Sequence, residues 1–408
     1  MWSTTGATSL SIDHGVGTVT GTSINVSPSA TTTYTLTATN PLGSTTASAT
    51  IIYMPIAQAS SQVYYSEHAM FIIPSTGQVD WNSSDSWDSL YSTNNVNSYV
   101  ATLKSVFPDD YYFVVVAANN LSPNIVPSVI AYRHEADGIG LNSAGGVGTP
   151  SICRYNIGGG TVIPGAFGVL DHEIGHNWGV FVGLGPANSS SHWVSNSTAG
   201  GQMSEIYSDD DDYVTDKVIS GDPINGFSWT PISNITVNET ETFNLQDLYL
   251  QGLNDKFPPI YVLNSPVYNS DNTMSYSSVS TYDQNWVIQH NGARNPSYQT
   301  SNKTFRMAVV YIARDLSEIQ TVYQPIEESI NDFVNGEQID NVNYRFQVPY
   351  LVDTQFRASA NALLADLDGN HTPTLTINGF GYLVSSDGNA TVAFTAADAD
   401  GPAPVDVQ

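Results

Sequence analysis

Basic residues are scarce in this chain. Lys and Arg number 11 against 38 Asp and Glu in 408 residues, a net charge of −27. A surface of that sign repels phosphate backbones and anionic headgroups, so neither a nucleic acid nor an acidic membrane is the expected partner. Cysteine is nearly absent: Cys153 stands alone. That excludes any disulfide within the chain and leaves an inert core thiol as its expected role. Long apolar runs are missing too, and nothing approaches the ~20 residues of a membrane span. The opening from Met1 to Thr5 has neither the charged start nor the apolar core of a signal peptide. What the chain has in abundance is Ser, Thr, Asn and Gly, a composition of extracellular type. The expectation is a secreted or cell-surface protein whose targeting signal lies upstream of residue 1.

The stretch from Val169 to Gly179 contains His172-Glu173-Ile174-Gly175-His176. On a helix, residues four apart share a face, so the two imidazoles can converge on one metal ion. Glu173 follows the first of them and projects beside that ion, where a carboxylate can act on a bound water. Phe167, Leu170, Ile174, Trp178 and Phe181 recur at helical spacing and form an apolar stripe on a neighbouring face. Gly165 and Gly168 precede the motif, and Gly179, Gly183 and Gly185 end the helix after it. A catalytic zinc has three protein ligands and one open position. The first candidate for the third ligand is His192, beside Trp193, with Glu205 and the acidic run from Asp209 to Asp212 as alternatives. Charge that develops on a carbonyl oxygen needs a donor, and by residue type Tyr249 and Tyr207 are candidates.

Residues 1–54 alternate Thr, Ser and apolar positions with Gly and Pro turns, which predicts antiparallel β structure. From 55 to 370 helical and strand signals mix. Val96 to Phe107 is predicted helical. Tyr111 to Ala117 is β-prone and apolar throughout, as in a strand buried on both faces. Gly158 to Ile163 is a candidate sheet edge, and His134-Glu135 is expected to be a surface pair. Leu245 to Leu253 is predicted as a short amphipathic helix and Phe305 to Ala313 as a core strand. Leu316 to Phe333 is expected to be helical, with Ile319, Val322, Ile326, Ile330 and Phe333 as its buried stripe and Pro325 kinking or splitting it. Residues 371–408 return to the β pattern. Calcium is a second candidate cation, at Asp209 to Asp212 or at the Asp-x-Asp-Gly turns of Asp366 to Gly369 and Asp398 to Gly401.

The motif resembles that of HExxH zinc metallopeptidases, the zincins. The metzincin extension is met at Gly179 but not at its last position, which is Val182 here. In metzincins a methionine turn supports the metal, and Met203 is the residue that would play a similar part. From about residue 165 to 335 the chain resembles a group of large secreted bacterial proteins that carry HExxH followed by a His-Trp pair. The resemblance rests on Phe243 to Leu253, Ile288 to Pro296 and Lys303 to Tyr311. It implies His172, His176 and His192 as zinc ligands and Glu173 as base. Ser27 to Asn40 resembles bacterial immunoglobulin-like repeats, which makes 1–54 and 371–408 incomplete sandwich modules.

The expected fold is therefore an α+β zincin-like domain over 55–370, flanked by partial all-β immunoglobulin-like modules. The expected activity is peptide-bond hydrolysis of an extracellular protein by a zinc enzyme, with Glu173 and Tyr249 in catalytic roles. Two other readings are a catalytically inactive adhesion or binding protein with a structural zinc, and an amidase acting on cell-wall peptides.

Overall fold

The computed structural model describes residues 2–26, 32–51, 56–81, 89–119, 128–133, 135–141, 150–156, 170–178, 188–189, 192–200, 203, 217–231, 242–335 and 350–365, with short strands at 374–377, 383–384, 390–391 and 394–397. The chain divides into two compact units, Met1–Ile56 and Ala57–Gln408. The first is one antiparallel sheet in the order β2-β1-β3-β4, built from β1 (Ser9–Ile12), β2 (Gly17–Thr18), β3 (Thr32–Asn40) and β4 (Gly43–Ile51). Asn40 pairs with Gly43 across a two-residue turn, and Thr35 N–H donates to the Asp13 carboxylate at 2.8 Å. Ile12 and Val19 are its buried apolar side chains among the described residues.

The second unit mixes helices and strands around an eight-stranded sheet. Its first strands are β5 (Ala57–Ser60), β6 (Val63–Tyr65), β7 (Ala69–Ile72), β8 (Phe113–Ala118), β9 (Ser128–Ala131) and β10 (Ser151–Asn156). Small hairpins and pairs follow: β11 (Asn188–Ser189) with β12 (His192–Trp193), β13 (Lys217–Asp222) with β14 (Gly226–Pro231), β15 (Ile260–Asn264) with β18 (Ser278–Tyr282), and β16 (Val267–Tyr268) with β17 (Met274–Ser275). The large sheet is completed by β19 (Thr304–Ile312) and β20 (Ser359–Asn361). Its order is β5-β6-β7-β19-β8-β10-β9, with β20 also pairing β19. From β7 to β10 the neighbours run parallel, and β9 returns antiparallel at the margin. Every residue of β7 and β8 is buried. That is the signature of central parallel strands covered on both faces, and it explains the unbroken apolar run.

The faces are covered by α1 (Thr93–Val106) on one side and by α2 (Leu170–Gly175) on the other. The remaining helices are α3 (Leu245–Gln251), α4 (Gln284–Asn291), α5 (Leu316–Asn335) and α6 (Tyr350–Asp353). Ser92 caps α1 by accepting the Asn95 N–H, and Val96, Tyr99, Val100 and Leu103 bury the face that meets Val114, Val116 and Ile152. The helix α5 buries the expected stripe of Ile319, Val322, Ile326, Ile330 and Phe333. It runs through Pro325 as one helix rather than two. The helix α3 is buried from Gln246 to Gln251, so it is an interior helix and not an amphipathic surface one. No described helix is long and apolar enough to cross a membrane. The strands beyond residue 373 form two antiparallel pairs, Thr374–Ile377 with Phe394–Ala397 and Leu383–Val384 with Ala390–Thr391.

A carboxylate clasp ties α5 to the turn between β6 and β7. Glu327 accepts the His68 N–H at 3.3 Å, contacts the His68 Nδ1 at 2.7 Å and takes a very short hydrogen bond from the Ser66 hydroxyl. Burial alone would lower the His68 pKa, but the Glu327 hydrogen bond and the charges of Glu327 and Glu67 outweigh it and raise it. The folded chain then holds this proton more tightly than the unfolded chain does. The stabilisation is complete below the unfolded value of ~6.5 and is lost as pH rises through the folded value. The thermal midpoint of the unaltered chain should fall towards that of His68→Gln as the buffer is taken from about pH 6 to about pH 9. Parallel curves across that range would contradict the clasp.

Candidate metal centre

Among the described residues, the helix that carries the motif spans Leu170–Gly175. The α2 hydrogen bonding continues to His176, whose N–H reaches the His172 carbonyl at 3.3 Å, and then closes with Asn177 to Ile174 and Trp178 to Gly175. Two side chains fasten this end to the sheet. Asn177 Oδ1 accepts the Arg133 N–H and the Ser151 hydroxyl. Trp178, 2% exposed, stacks on Tyr112 at 5.6 Å and meets Phe113 and Phe305 edge-on. Leu170, Ile174 and Trp178 are buried as the stripe requires, while Phe167, Phe181 and the flanking glycines lie outside the described residues.

His172, His176 and His192 come together, with one ligand atom of each lying within 4.8 Å of the others. The His172 and His192 rings stack at 5.0 Å with their Nε2 atoms 3.0 Å apart, and the His176 ring stands edge-on to both at 4.8 Å. Two nitrogens bound tetrahedrally to zinc at ~2.0–2.1 Å would sit roughly 3.3 Å apart, between the 3.0 Å of the His172–His192 pair and the 4.8 Å within which all three ligand atoms lie. Among the described residues the donors are three imidazoles, a set that suits zinc. Burial, then the charges of His172 and His192, push His176 down to about 3, so it offers a lone pair at any pH near neutral.

His192 is delivered by β11–β12, and its neighbour explains how. Trp193 is fully buried, donates its indole N–H to Asp247 at 2.7 Å and its backbone N–H to the Met203 carbonyl at 2.8 Å. Asp247 is the third residue of α3 and closes a capping box with Asn244. Met203 is fully buried, and its sulfur lies where a side chain on Gly175 would begin; the Phe243 ring is the next neighbour of that point, at 2.7 Å. Glycine at 175 is what allows α2, Met203 and Phe243 to pack this closely.

Glu173 is 6% exposed and turns towards β9, where its carboxylate accepts the Val129 N–H. Burial pushes its pKa up to about 8, against that hydrogen bond and the Arg154 charge. Such a group is poised to exchange a proton near neutrality, and a cation at the histidines would draw it back towards its charged form. Cys153 is buried beside it, its thiol pushed well up by burial and by the Glu173 charge, as befits an unreactive core residue. Asp171 is 1% exposed, and burial pushes its carboxyl well up from the usual carboxylate range.

Tyr249 sits on α3, 6% exposed, with its ring against Phe257 at 5.5 Å and a hydrogen bond at the Arg294 backbone. Tyr207, Glu205, Asp209 to Asp212, Gly158 to Ile163, His134 and both Asp-x-Asp-Gly turns lie outside the described residues. Asp247 escaped the sequence reading, although Asn244-x-x-Asp247 ahead of an apolar run has the spacing of a capping box. Comparison with protein-family models, curated proteins and solved structures finds no match to this chain.

Two substitutions test this packing. Gly175→Ala should destabilise the chain by about 1–3 kcal/mol in chemical denaturation, through overpacking against Met203 and Phe243. Asp247→Ala strands the buried Trp193 indole N–H and should cost a similar ~1–3 kcal/mol while weakening zinc retention through His192. An Asp247→Ala chain with unaltered midpoint and zinc affinity would show that His192 is held by something else.

Proposed function

We propose that this chain is a zinc-dependent hydrolase of peptide bonds with a zincin-like catalytic domain, working outside the cell on a protein substrate. The observation that carries the reading is the convergence of His172, His176 and His192 with Glu173 immediately after the first of them. Zinc bound by these imidazoles would act as a Lewis acid that lowers the pKa of water towards ~7 and polarises a carbonyl. Glu173 takes a proton from the attacking water and returns it to the leaving amine. Its burial supports that task, since its pKa of about 8 lets it both accept and release a proton near neutrality. The position of β9 supports a peptide as substrate. Among the described residues it is the margin of the sheet, antiparallel to β10, with its Val129 N–H on the Glu173 carboxylate. An extended peptide added to this margin would pass beside the base. The acidic surface and the composition rich in Ser, Thr and Asn support an extracellular setting.

The test is casein cleavage by the purified chain loaded with zinc, alongside Glu173→Gln and His192→Ala. Glu173→Gln is expected to keep one zinc per chain by elemental analysis and to lose ~10²–10⁴-fold in rate. His192→Ala is expected to lose both zinc and cleavage. Full zinc-dependent activity in Glu173→Gln would falsify the role of Glu173. A zinc found by X-ray absorption with four protein ligands and no water would turn the reading to a structural site in a binding protein.

A further inference from the structure

The interior helix α3 ends on buried residues. The last four carbonyls of a helix have no partner within it, so each must be met from outside. Those of Leu248 and Tyr249 are met by the turn that follows, through the Leu253 N–H at 2.6 Å and the Gly252 N–H at 3.0 Å. The carbonyls of Leu250 and Gln251 go to one side chain far along the sequence. Arg294 donates its Nε–H to the first at 2.7 Å and an Nη2–H to the second at 3.0 Å. Its Nη1 binds the Pro296 carbonyl, and its guanidinium lies against Gly252, where an added side chain would begin 2.5 Å from Cζ. The Gly252 carbonyl is taken in turn by the Lys303 ammonium, which also holds the Tyr298 carbonyl at 2.9 Å and the Ser301 hydroxyl at 2.6 Å. Among the described residues no carboxylate lies within ion-pair distance of either cation. Burial lowers the Arg294 pKa to about 10, and burial with the Arg294 charge lowers that of Lys303 to about 8. Two cations kept here without a counter-ion are costly, and what they serve is the end of α3.

The segment that carries Arg294 also reaches the other half of the centre. Asp137 and Asn295 exchange backbone hydrogen bonds at 2.8 and 3.0 Å, and the Ile139 N–H donates to the Gly292 carbonyl at 3.1 Å. Gly138, at φ +72°, lies so close to the Ala293 carbonyl that no side chain fits between them. Residues 135–139 follow β9. The Glu135 N–H bonds back to the carbonyl of Arg133, whose own N–H is held by Asn177 at the end of α2. The Arg294 segment thus joins two sides, α2 with His172 and His176, and α3 with Asp247, Trp193 and His192. At seven residues α3 is too short to stand by itself, so slack at its C-terminal end reaches Asp247 about one turn away. We propose that Arg294, with Lys303 beside it, is a positioning residue of the metal centre. By holding the end of α3 it fixes Asp247, and through the Trp193 indole it fixes the third ligand, His192. The proposal rests on the reading of the three histidines as a zinc site. Neither cation takes part in the chemistry; their effect is on where the imidazole stands.

The experiment measures zinc affinity by competition with a chelator, and the visible absorption of the cobalt-substituted chain, in the unaltered protein, Arg294→Lys and Lys303→Met. Thermal midpoint and casein cleavage are followed beside them. Arg294→Lys keeps a positive charge but loses the planar fork that serves two carbonyls at once. The expected result for Arg294→Lys is zinc held about tenfold more weakly, a shifted cobalt band, and a kcat/KM lower by a similar factor. Lys303→Met, which removes the ammonium from the Gly252 carbonyl, is expected to move the same readings in the same direction by less. A lower midpoint with zinc affinity and cobalt band unchanged would overturn the proposal and make the two cations merely structural. Should Arg294→Lys fail to fold, the same two readings on Lys303→Met decide the matter. Zinc weakened as expected in a protein that cleaves no casein even unaltered would uphold the positioning role and remove the peptidase reading.

Discussion

The hydrogen bond from the Trp193 indole to the Asp247 carboxylate, 2.7 Å long and fully buried, decides where the third histidine stands. His192 belongs to a strand pair with only two paired positions, Asn188 with Trp193 and Ser189 with His192, too little structure to fix a side chain by itself. Its neighbour Trp193 supplies the anchor. Asp247 accepts that indole and also the Met203 and Asn244 backbone N–H groups, and the last of these makes it part of a helix cap. Even with three donors, burial leaves its pKa up at about 7. The carboxylate is thus held at a cost in desolvation, and what that cost secures is one geometry for the hairpin relative to α3.

The first two histidines are fixed from the other direction. The helix α2 is tied to the sheet by Trp178 among Tyr112, Phe113 and Phe305, and by Asn177 at the Ser151 hydroxyl and the Arg133 N–H. The two anchoring systems meet at Gly175, where Met203 and Phe243 close on the helix. Met203 belongs to both, since its carbonyl holds Trp193 and its sulfur packs on α2. A displacement of the hairpin is therefore resisted by the helix, and three imidazoles contributed by segments sixteen residues apart keep their mutual distances.

How much of this the sequence discloses depends on the kind of interaction. The strand at Phe113–Ala118 and the stripe of α5 are legible because apolar periodicity is a local property that burial then enforces. The three histidines are legible for a chemical reason: the metal geometry demands a third donor within reach of His172 and His176, and His192 satisfies it. The end of α2 is less so, because Asn177 is held by Arg133 and Ser151, contacts made far along the chain. Pro325 shows the reverse. A local rule expects a break, yet a helix buried along Ile319, Val322, Ile326, Ile330 and Phe333 gains enough from packing to continue through it. Tyr249 is ambiguous by type among 23 tyrosines, and only the fold shows it against Phe257. Asp247 and Arg294 depend on long-range hydrogen bonding, which carries no pattern at short range.

On the proposed reading, the setting of Glu173 is what distinguishes a hydrolytic centre from a purely structural one. A zinc that serves only to hold the fold gains nothing from a carboxyl buried next to its ligands, and burying that group is costly wherever it must ionise. Here Glu173 is nearly covered, and the Val129 N–H and Arg154 compensate so incompletely that its pKa stands at about 8. With no positive charge at the histidines, burial favours its protonated form. A divalent cation held beside it favours the carboxylate. The arrival of the metal and the readiness of the base are therefore one electrostatic event. His176 is kept neutral by its surroundings, and the facing Nε2 atoms of His172 and His192 lie 3.0 Å apart. On the proposed reading, a buried acid that a bound metal would favour in its charged form serves hydrolysis.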